Sequence, residues 1–112
     1  RLAQTAVEAA EHSGSSWFRY AAHIALGRLF AQIPGDEVEA GIHFRTAFDL
    51  ATRMNSLPFL AHAAVELGEL LWRSEQQSAQ QRQAEGYVRQ ALALGERLAI
   101  DSIIERARHL LR

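Results

Sequence analysis

The chain contains no cysteine and no lysine. Without cysteine it has no disulfide bond, no thiolate nucleophile and no cysteine metal ligand. Without lysine the phosphate-binding signature Gly-x-x-x-x-Gly-Lys cannot occur. All 12 basic residues are therefore arginine. We interpret this bias as the mark of a GC-rich genome, and a surface built for bidentate binding of carboxylates is the alternative.

Long apolar runs and an excess of one charge are also missing. No run approaches the roughly 20 residues that a membrane-spanning helix needs, and no signal-peptide pattern is present. The 12 basic and 13 acidic residues give a net charge of −1, whereas nucleic-acid binders carry a basic stripe. We predict no nucleic-acid partner, no membrane contact and a cytoplasmic location. The basic cluster from Arg106 to Arg112 is interpreted as a solvated helix end.

Helical periodicity dominates the 112 residues, of which 48% are hydrophobic. This composition supports one folded domain, and because Arg1 opens the chain inside a predicted helix, we expect a longer parent protein. The pattern predicts an all-α fold with the following six helices: Leu2–His12, Trp17–Gln32, Glu37–Met54, Leu57–Arg73, Ala79–Leu98 and Ser102–Leu111. The short links between them predict antiparallel neighbours.

An internal repeat lies within this pattern. Three positions recur 44 residues downstream, where Ala40, Phe44 and Ala47 are echoed by Ala84, Val88 and Ala91. Two mid-helix glycines, Gly27 and Gly68, each lie 21 residues after an alanine, Ala6 and Ala47 respectively. A glycine in mid-helix costs roughly 1 kcal/mol relative to alanine, so its recurrence requires a reason. We expect close helix contact, with Gly27 against Ala40 and Gly68 against Ala84.

These motifs resemble the tetratricopeptide repeat. Leu26-Gly27-x-x-Phe30 followed by Ala40-x-x-x-Phe44-x-x-Ala47 is similar to the family's two-helix pattern, and the copy from Leu67 to Ala91 is similar more loosely. The periods of 41 and 44 residues exceed the family's usual length, and its tryptophan and proline positions are not matched. The resemblance implies antiparallel hairpins stacked as a right-handed superhelix. Its units would be a half-repeat 1–14, repeats 15–55 and 56–100, and a half-repeat or capping helix 101–112.

The long period and the helix endings around Met54 and Leu98 narrow the resemblance. They are similar to the helical superhelix of large bacterial signalling ATPases and of LuxR-type transcriptional regulators like the maltose regulator. The resemblance implies a protein-interaction or scaffolding module within a bacterial regulator. One alternative is a small-molecule sensor, with an apolar pocket between Trp17, Tyr20 and Ile24 or around Trp72. A spacer without a ligand is the other.

The resemblance also implies where a partner protein or peptide would bind. In this architecture the first helix of each hairpin lines a concave groove. By register, the groove residues are Tyr20, Ala21, Ile24, Arg28, Gln32, His62, Val65, Glu69, Trp72 and Arg73. Tryptophan and arginine are enriched among binding hot spots, so we expect Arg28, Trp72 and Arg73 to determine specificity together with Glu69.

No catalytic or metal-binding pattern stands out. The five histidines form no i,i+4 pair and no His-Glu-x-x-His motif, and no Gly-x-Ser-x-Gly elbow is present. We interpret His23 as a packed, hydrogen-bonded residue and His62 as a surface partner of Glu66. Glu66 and Glu69 read as ordinary surface patterning. The sequence predicts no enzyme activity, no metal and no cofactor.

Both ends of the chain carry apolar helices that lack a partner within it. The first helix resembles the second half of a repeat, and the last, with Ile103 and Leu110, resembles the first half of another. Uncovered solenoid ends tend to associate, because terminal capping maintains solubility. We therefore predict self-association through these helices, with a symmetric homodimer as one form.

Overall fold

A computed structural model of the chain describes residues 8, 15–74 and 78–112. All regular structure in these ranges is α-helical, which confirms the predicted fold class. The five helices are α1 (Ser16–Ala31), α2 (Glu37–Arg53), α3 (Leu57–Ser74), α4 (Ser78–Leu98) and α5 (Asp101–Leu110). The predicted helix Leu2–His12 and the half-repeat 1–14 fall outside the described residues, apart from position 8.

Local sequence accounts for several of these helix ends. The side chain of Ser15 caps α1, since its Oγ accepts a hydrogen bond from the Phe18 amide at 3.2 Å. Asn55 ends α2 in the left-handed conformation, with φ of 53°. Two other helices begin without a side-chain cap: Asp36 precedes α2 but makes no side-chain capping bond, and the N-cap residue of α5 is Ile100.

The helices pack as successive antiparallel hairpins. α1 packs on α2, α3 packs on α4, and both α2 and α4 also contact the helix that follows them. Contacts between helix ends give the direction: Gly41 near the start of α2 meets Leu70 near the end of α3, and Gly95 near the end of α4 meets Ile103 near the start of α5. These contacts support the predicted stacking of hairpins.

The first helices of the hairpins form one row. Tyr20 of α1 stacks on Phe59 of α3, with ring centroids 4.4 Å apart. Further along, Glu66 of α3 forms ion pairs with Arg28 of α1 and Arg106 of α5. Residues that meet between α1 and α3, or between α3 and α5, are therefore about one repeat length apart in the sequence. We call the surface that this row of helices exposes the α1–α3–α5 face.

The two mid-helix glycines Gly27 and Gly68 occupy equivalent packing positions, although their partners differ from those predicted. A Cβ built on Gly27 would lie 2.5 Å from the ring of Phe44, and one built on Gly68 would lie 2.7 Å from Val88 Cγ2. The nearest partners are thus Phe44 and Val88, one helical turn beyond the predicted alanines. Each glycine makes room for the largest side chain of the echo rather than for a small one.

The core extends through all described hairpins. Phe44 and Leu67 anchor one buried cluster between α1, α2 and α3, while Val65 and Ile103 belong to a second between α3, α4 and α5. Several alanines of α2, α3 and α4, among them Ala40, Ala64 and Ala84, are fully buried. Within the described ranges, no helix combines the length and apolarity that crossing a membrane would require.

Candidate functional site

An apolar pocket of about 320 Å³ lies on the α1–α3–α5 face between α1 and α3. It is lined by Trp17, Tyr20, Ala21, Ile24, Ala25, Arg28, Phe59 and His62. Its volume is at the low end of the range of about 300–1,000 Å³ that is typical of small-ligand pockets. Trp17, Tyr20 and Ile24 thus line a common pocket, which is one of the two places that the small-molecule alternative named.

The aromatic wall of this pocket is held in place by one hydrogen bond. Tyr20 is buried, stacks in parallel on Phe59, and its hydroxyl donates to the Phe59 carbonyl at 2.8 Å. Burial, followed by the nearby charge of Glu66, raises the pKa of Tyr20 well above its ordinary value. The hydroxyl therefore remains a donor at neutral pH, and it fixes α1 relative to the first turn of α3.

Trp17 stands at the edge of the pocket with 59% of its surface exposed. A large aromatic side chain exposed beside an apolar pocket can contact a ligand without any rearrangement of the core. Its position in the first turn of α1 follows from the cap at Ser15.

A charged network continues the face beyond Arg28. Glu66 is 6% exposed, and its two carboxylate oxygens accept hydrogen bonds from Arg28 Nε and Arg106 Nη2, the latter at 2.9 Å. Arg106 Nε also donates to Glu69. Because the partners lie on α1, α3 and α5, this network ties together all three helices of the row. A buried carboxylate shared by two guanidinium groups is fully compensated in charge and hydrogen bonding.

These side chains surround a second, charged pocket of about 290 Å³. Its lining residues are Arg28, Ala31, Gln32, Phe44, Glu66, Glu69, Leu70, Arg73 and Arg106. Burial lowers the pKa of Arg106, but its bonds to Glu66 and Glu69 outweigh that effect and raise the pKa above the ordinary value. Three arginines thus face two glutamates. Arg28 borders both pockets and links the apolar part of the surface to the charged part.

His62 forms the boundary on the α3 side of the apolar pocket. Burial, followed by the nearby charge of Arg28, lowers its pKa, although Glu66 acts in the opposite direction. The imidazole is therefore neutral at pH 7. This differs from the predicted surface pair with Glu66, since Glu66 is committed to two arginines instead.

The structure brings together most of the predicted groove residues. Tyr20, Ala21, Ile24, Arg28 and His62 line the apolar pocket, and Arg28, Gln32, Glu69 and Arg73 line the charged one. Val65 is an exception: it is 1% exposed and packs in the core with Ile103, so it is not available to a groove. Trp72 is partly buried and lines neither pocket.

Two central residues of the site were assigned other roles from the sequence. Glu66 was expected to be ordinary surface patterning, yet it is the most buried charge of the site. Arg106 was expected to belong to a solvated helix end, yet it turns back to α3. A signal was present: Glu66 follows Arg28 by 38 residues and precedes Arg106 by 40, which is close to the repeat length.

Outside the face, His23 and His43 form a pair between α1 and α2. Their Nδ1 atoms lie 3.0 Å apart, so one nitrogen donates and the other accepts. His23 is buried, as predicted for a packed, hydrogen-bonded residue. Burial lowers the pKa of His43, with a smaller opposing effect from Glu39. The hydrogen bond between the two rings is therefore lost when both are protonated, because both Nδ1 atoms are then donors.

In the part of the chain that the structure describes, no group of three or more histidine, cysteine, aspartate or glutamate side chains could hold a metal ion. Comparison with known proteins finds no matching protein-family model, no matching curated protein and no matching solved structure.

Proposed function

We propose that this chain is a protein-interaction module that binds a peptide segment of a partner protein on the α1–α3–α5 face. The supporting observation is the adjacency of two different pockets on one face, with Arg28 shared between them. An apolar pocket supplies buried contact area, and the charged pocket beside it supplies orientation and specificity. The repeat motifs favour a module of the tetratricopeptide type within a larger regulatory protein.

The charge network makes this face a preorganised surface. Arg28 and Arg106 are held by Glu66, and Tyr20 is held by the Phe59 carbonyl, so the lining does not have to be ordered on binding. Preformed surfaces lose less conformational entropy when a ligand binds. A peptide that crosses from the apolar pocket to the charged pocket would contact all three helices of the row.

A Trp17→Ala variant tests this function. Trp17 is largely exposed, so its removal should leave the fold intact while removing apolar contact area from the pocket. Peptides captured from a random display library by the native chain should bind the variant at least about tenfold more weakly. The matched control is Val38→Ala on α2, because Val38 is also an exposed apolar residue, at 75%, but lies outside both pockets. Equal losses in both variants, or no captured peptide, would contradict the proposal.

A second candidate function is sensing of a small molecule in the apolar pocket. The size and predominantly apolar lining of that pocket favour it, because one small ligand would fill the space between Trp17 and Phe59. The two functions separate experimentally. Small apolar compounds should change the fluorescence of Trp17 in a Trp72→Phe background if the pocket is a sensor, even when no peptide is present.

A further inference from the structure

We infer that the apolar pocket binds a small carboxylic acid with an apolar body, and that Arg28 binds the carboxylate. This inference rests on the second candidate function, ligand sensing in that pocket, and names the chemical class of the ligand. A carboxylate bound to Arg28 would also regulate peptide binding on the α1–α3–α5 face, because Arg28 lines both pockets.

Arg28 has the unused donors that such a ligand needs. Among the described residues, only its Nε makes a hydrogen bond, to Glu66, and 56% of the side chain is exposed. Its two terminal nitrogens therefore remain available. A guanidinium group is planar and binds a carboxylate through two parallel hydrogen bonds. The bond from Nε to Glu66 fixes the plane of the group, so Glu66 is a positioning residue for this site.

The charges around Arg28 favour an anion over a cation. Both oxygens of Glu66 already accept bonds from arginines, and Glu69 is bound to Arg106. Arg73 lines the charged pocket and makes no ion pair with any residue that the structure describes. His62 has a lowered pKa and is neutral at pH 7. It therefore does not compete with Arg28 for the carboxylate, and it can lie beside an apolar group.

The rest of the ligand follows from the lining of the pocket. Beside Arg28 the wall consists of Trp17, Phe59 and aliphatic side chains of α1. The Tyr20 hydroxyl is already bonded to the Phe59 carbonyl and offers no donor to a ligand. Among the described lining residues, Arg28 alone has donors that are both charged and unused. A molecule with one apolar body and one terminal carboxylate therefore matches this surface better than a polyol or an amine.

Matched pairs of acids and amides test the inference. The probes are 3-phenylpropionate, cyclohexanecarboxylate and hexanoate, each compared with its neutral amide. Binding is measured at pH 7.5 by Trp17 fluorescence in a Trp72→Phe chain, which removes the other tryptophan. We expect at least one acid to bind about tenfold more tightly than its amide, as a charge-assisted pair of hydrogen bonds implies.

Two further variants assign the preference to Arg28. Arg28→Lys keeps the positive charge but removes the planar pair of donors, and it should reduce the preference for the acid severalfold. Arg89→Lys on α4 is the control, since Arg89 is similarly exposed, at 63%, but its ion pair within the described ranges is with Glu85 on its own helix. It should leave binding unchanged. Circular dichroism establishes that both variants remain helical.

The outcomes separate the ligand class from the function. An acid that binds tightly, with a weak amide and a weakened Arg28→Lys variant, supports the inference. Equal affinities for acid and amide would overturn the role of Arg28 while leaving small-molecule sensing in place. No binding of any probe at millimolar concentration would overturn the inference, and peptide binding would still be decided separately by the Trp17→Ala comparison. An acid that displaces a captured peptide would show that the two ligands share the face.

Discussion

The ring of Phe44 occupies the space where a Cβ of residue 27 would otherwise lie. A Cβ built on Gly27 would approach Phe44 Cε1 to 2.5 Å and Cδ1 to 2.6 Å, well inside van der Waals contact. The equivalent contact in the next hairpin is between Gly68 and Val88, where the Val88 backbone nitrogen also lies only 3.1 Å from the added atom. Each glycine therefore sets the separation of its two helices.

Substitution of Gly68 by alanine should destabilise the fold. The added methyl group gains about 1 kcal/mol of helix propensity, but it meets both the side chain and the backbone of Val88, and overpacking typically costs about 1–3 kcal/mol. Because backbone cannot move away as a flexible side chain does, the cost should lie in the upper part of that range, about 2–3 kcal/mol, and leave a net loss of about 1–2 kcal/mol in the free energy of unfolding. Urea denaturation followed by circular dichroism measures this change.

Gly86→Ala is the matched control for that experiment. Gly86 also lies within a helix, α4, but no atom lies within 4 Å of a Cβ built there. Its substitution should therefore stabilise the chain by about 0.5–1 kcal/mol through helix propensity alone. If Gly68→Ala were as stabilising as Gly86→Ala, the close approach of α3 and α4 would not constrain the fold.

The end of α4 offers a stabilising substitution. Ala99 has a φ of 58°, as Asn55 has a φ of 53° at the end of α2, 44 residues earlier. A left-handed conformation costs an alanine roughly 1–2 kcal/mol, and glycine avoids this strain at a smaller entropic cost. Ala99→Gly should raise the free energy of unfolding by about 0.5–1 kcal/mol. Asn55→Gly should give a smaller gain, since asparagine tolerates this region, and the reverse order of the two gains would contradict the assignment.

The fold was largely predictable because its local signals are strong. Each described helix begins and ends within one residue of its predicted boundary. Pro34 and Gly35 follow α1, Asn55 ends α2, and Pro58 opens α3, where its missing amide donor does no harm. Such signals act over a few residues, so the pattern alone determines the helices and their order.

The site was less predictable because its key contacts depend on helix rotation. Adjacent positions of a helix point about 100° apart. The assignment of Val65 to the groove was wrong, because its side chain packs in the core. The next residue, Glu66, lies on the α1–α3–α5 face instead. Glu66 meets partners 38 and 40 residues away, and no local pattern on α3 reveals them. The spacing of Glu66 and Glu69 alone equally fits a solvated surface.

Stability should decline as the pH falls below about 6.5, the ordinary histidine pKa. Burial lowers the pKa of both His43 and His62 in the folded chain, so the unfolded chain binds more protons in this range. The free energy of unfolding then rises with pH, and the contribution of the neutral histidines is complete above pH 6.5 and lost below it. Denaturation curves at pH 7.5 and 5.5 measure the difference.

The His43→Gln variant assigns part of that pH dependence. Glutamine can still hydrogen-bond with His23 but takes up no proton, so the variant should lose less stability than the native chain between pH 7.5 and 5.5. A double variant with His62→Gln should lose still less. Identical losses in the native chain and in His43→Gln would show that another group is responsible.

The buried carboxylate of Glu66 should contribute more to stability than an exposed one. Glu66→Gln keeps the shape of the side chain but removes the charge shared by Arg28 and Arg106. Breaking hydrogen bonds to charged groups costs about 1.5–3 kcal/mol, and Arg106 loses part of its compensation. We expect a loss of about 2 kcal/mol in the free energy of unfolding.

Glu96→Gln is the control, because its pair with Arg108 is at least half exposed on both sides and should be worth less than about 1 kcal/mol. Salt separates the two pairs further: 1 M sodium chloride should abolish the small effect at Glu96 and leave most of the effect at Glu66, since a buried pair is screened much less. Equal costs for the two variants at low salt would mean that the network joining α1, α3 and α5 behaves as an ordinary surface cluster.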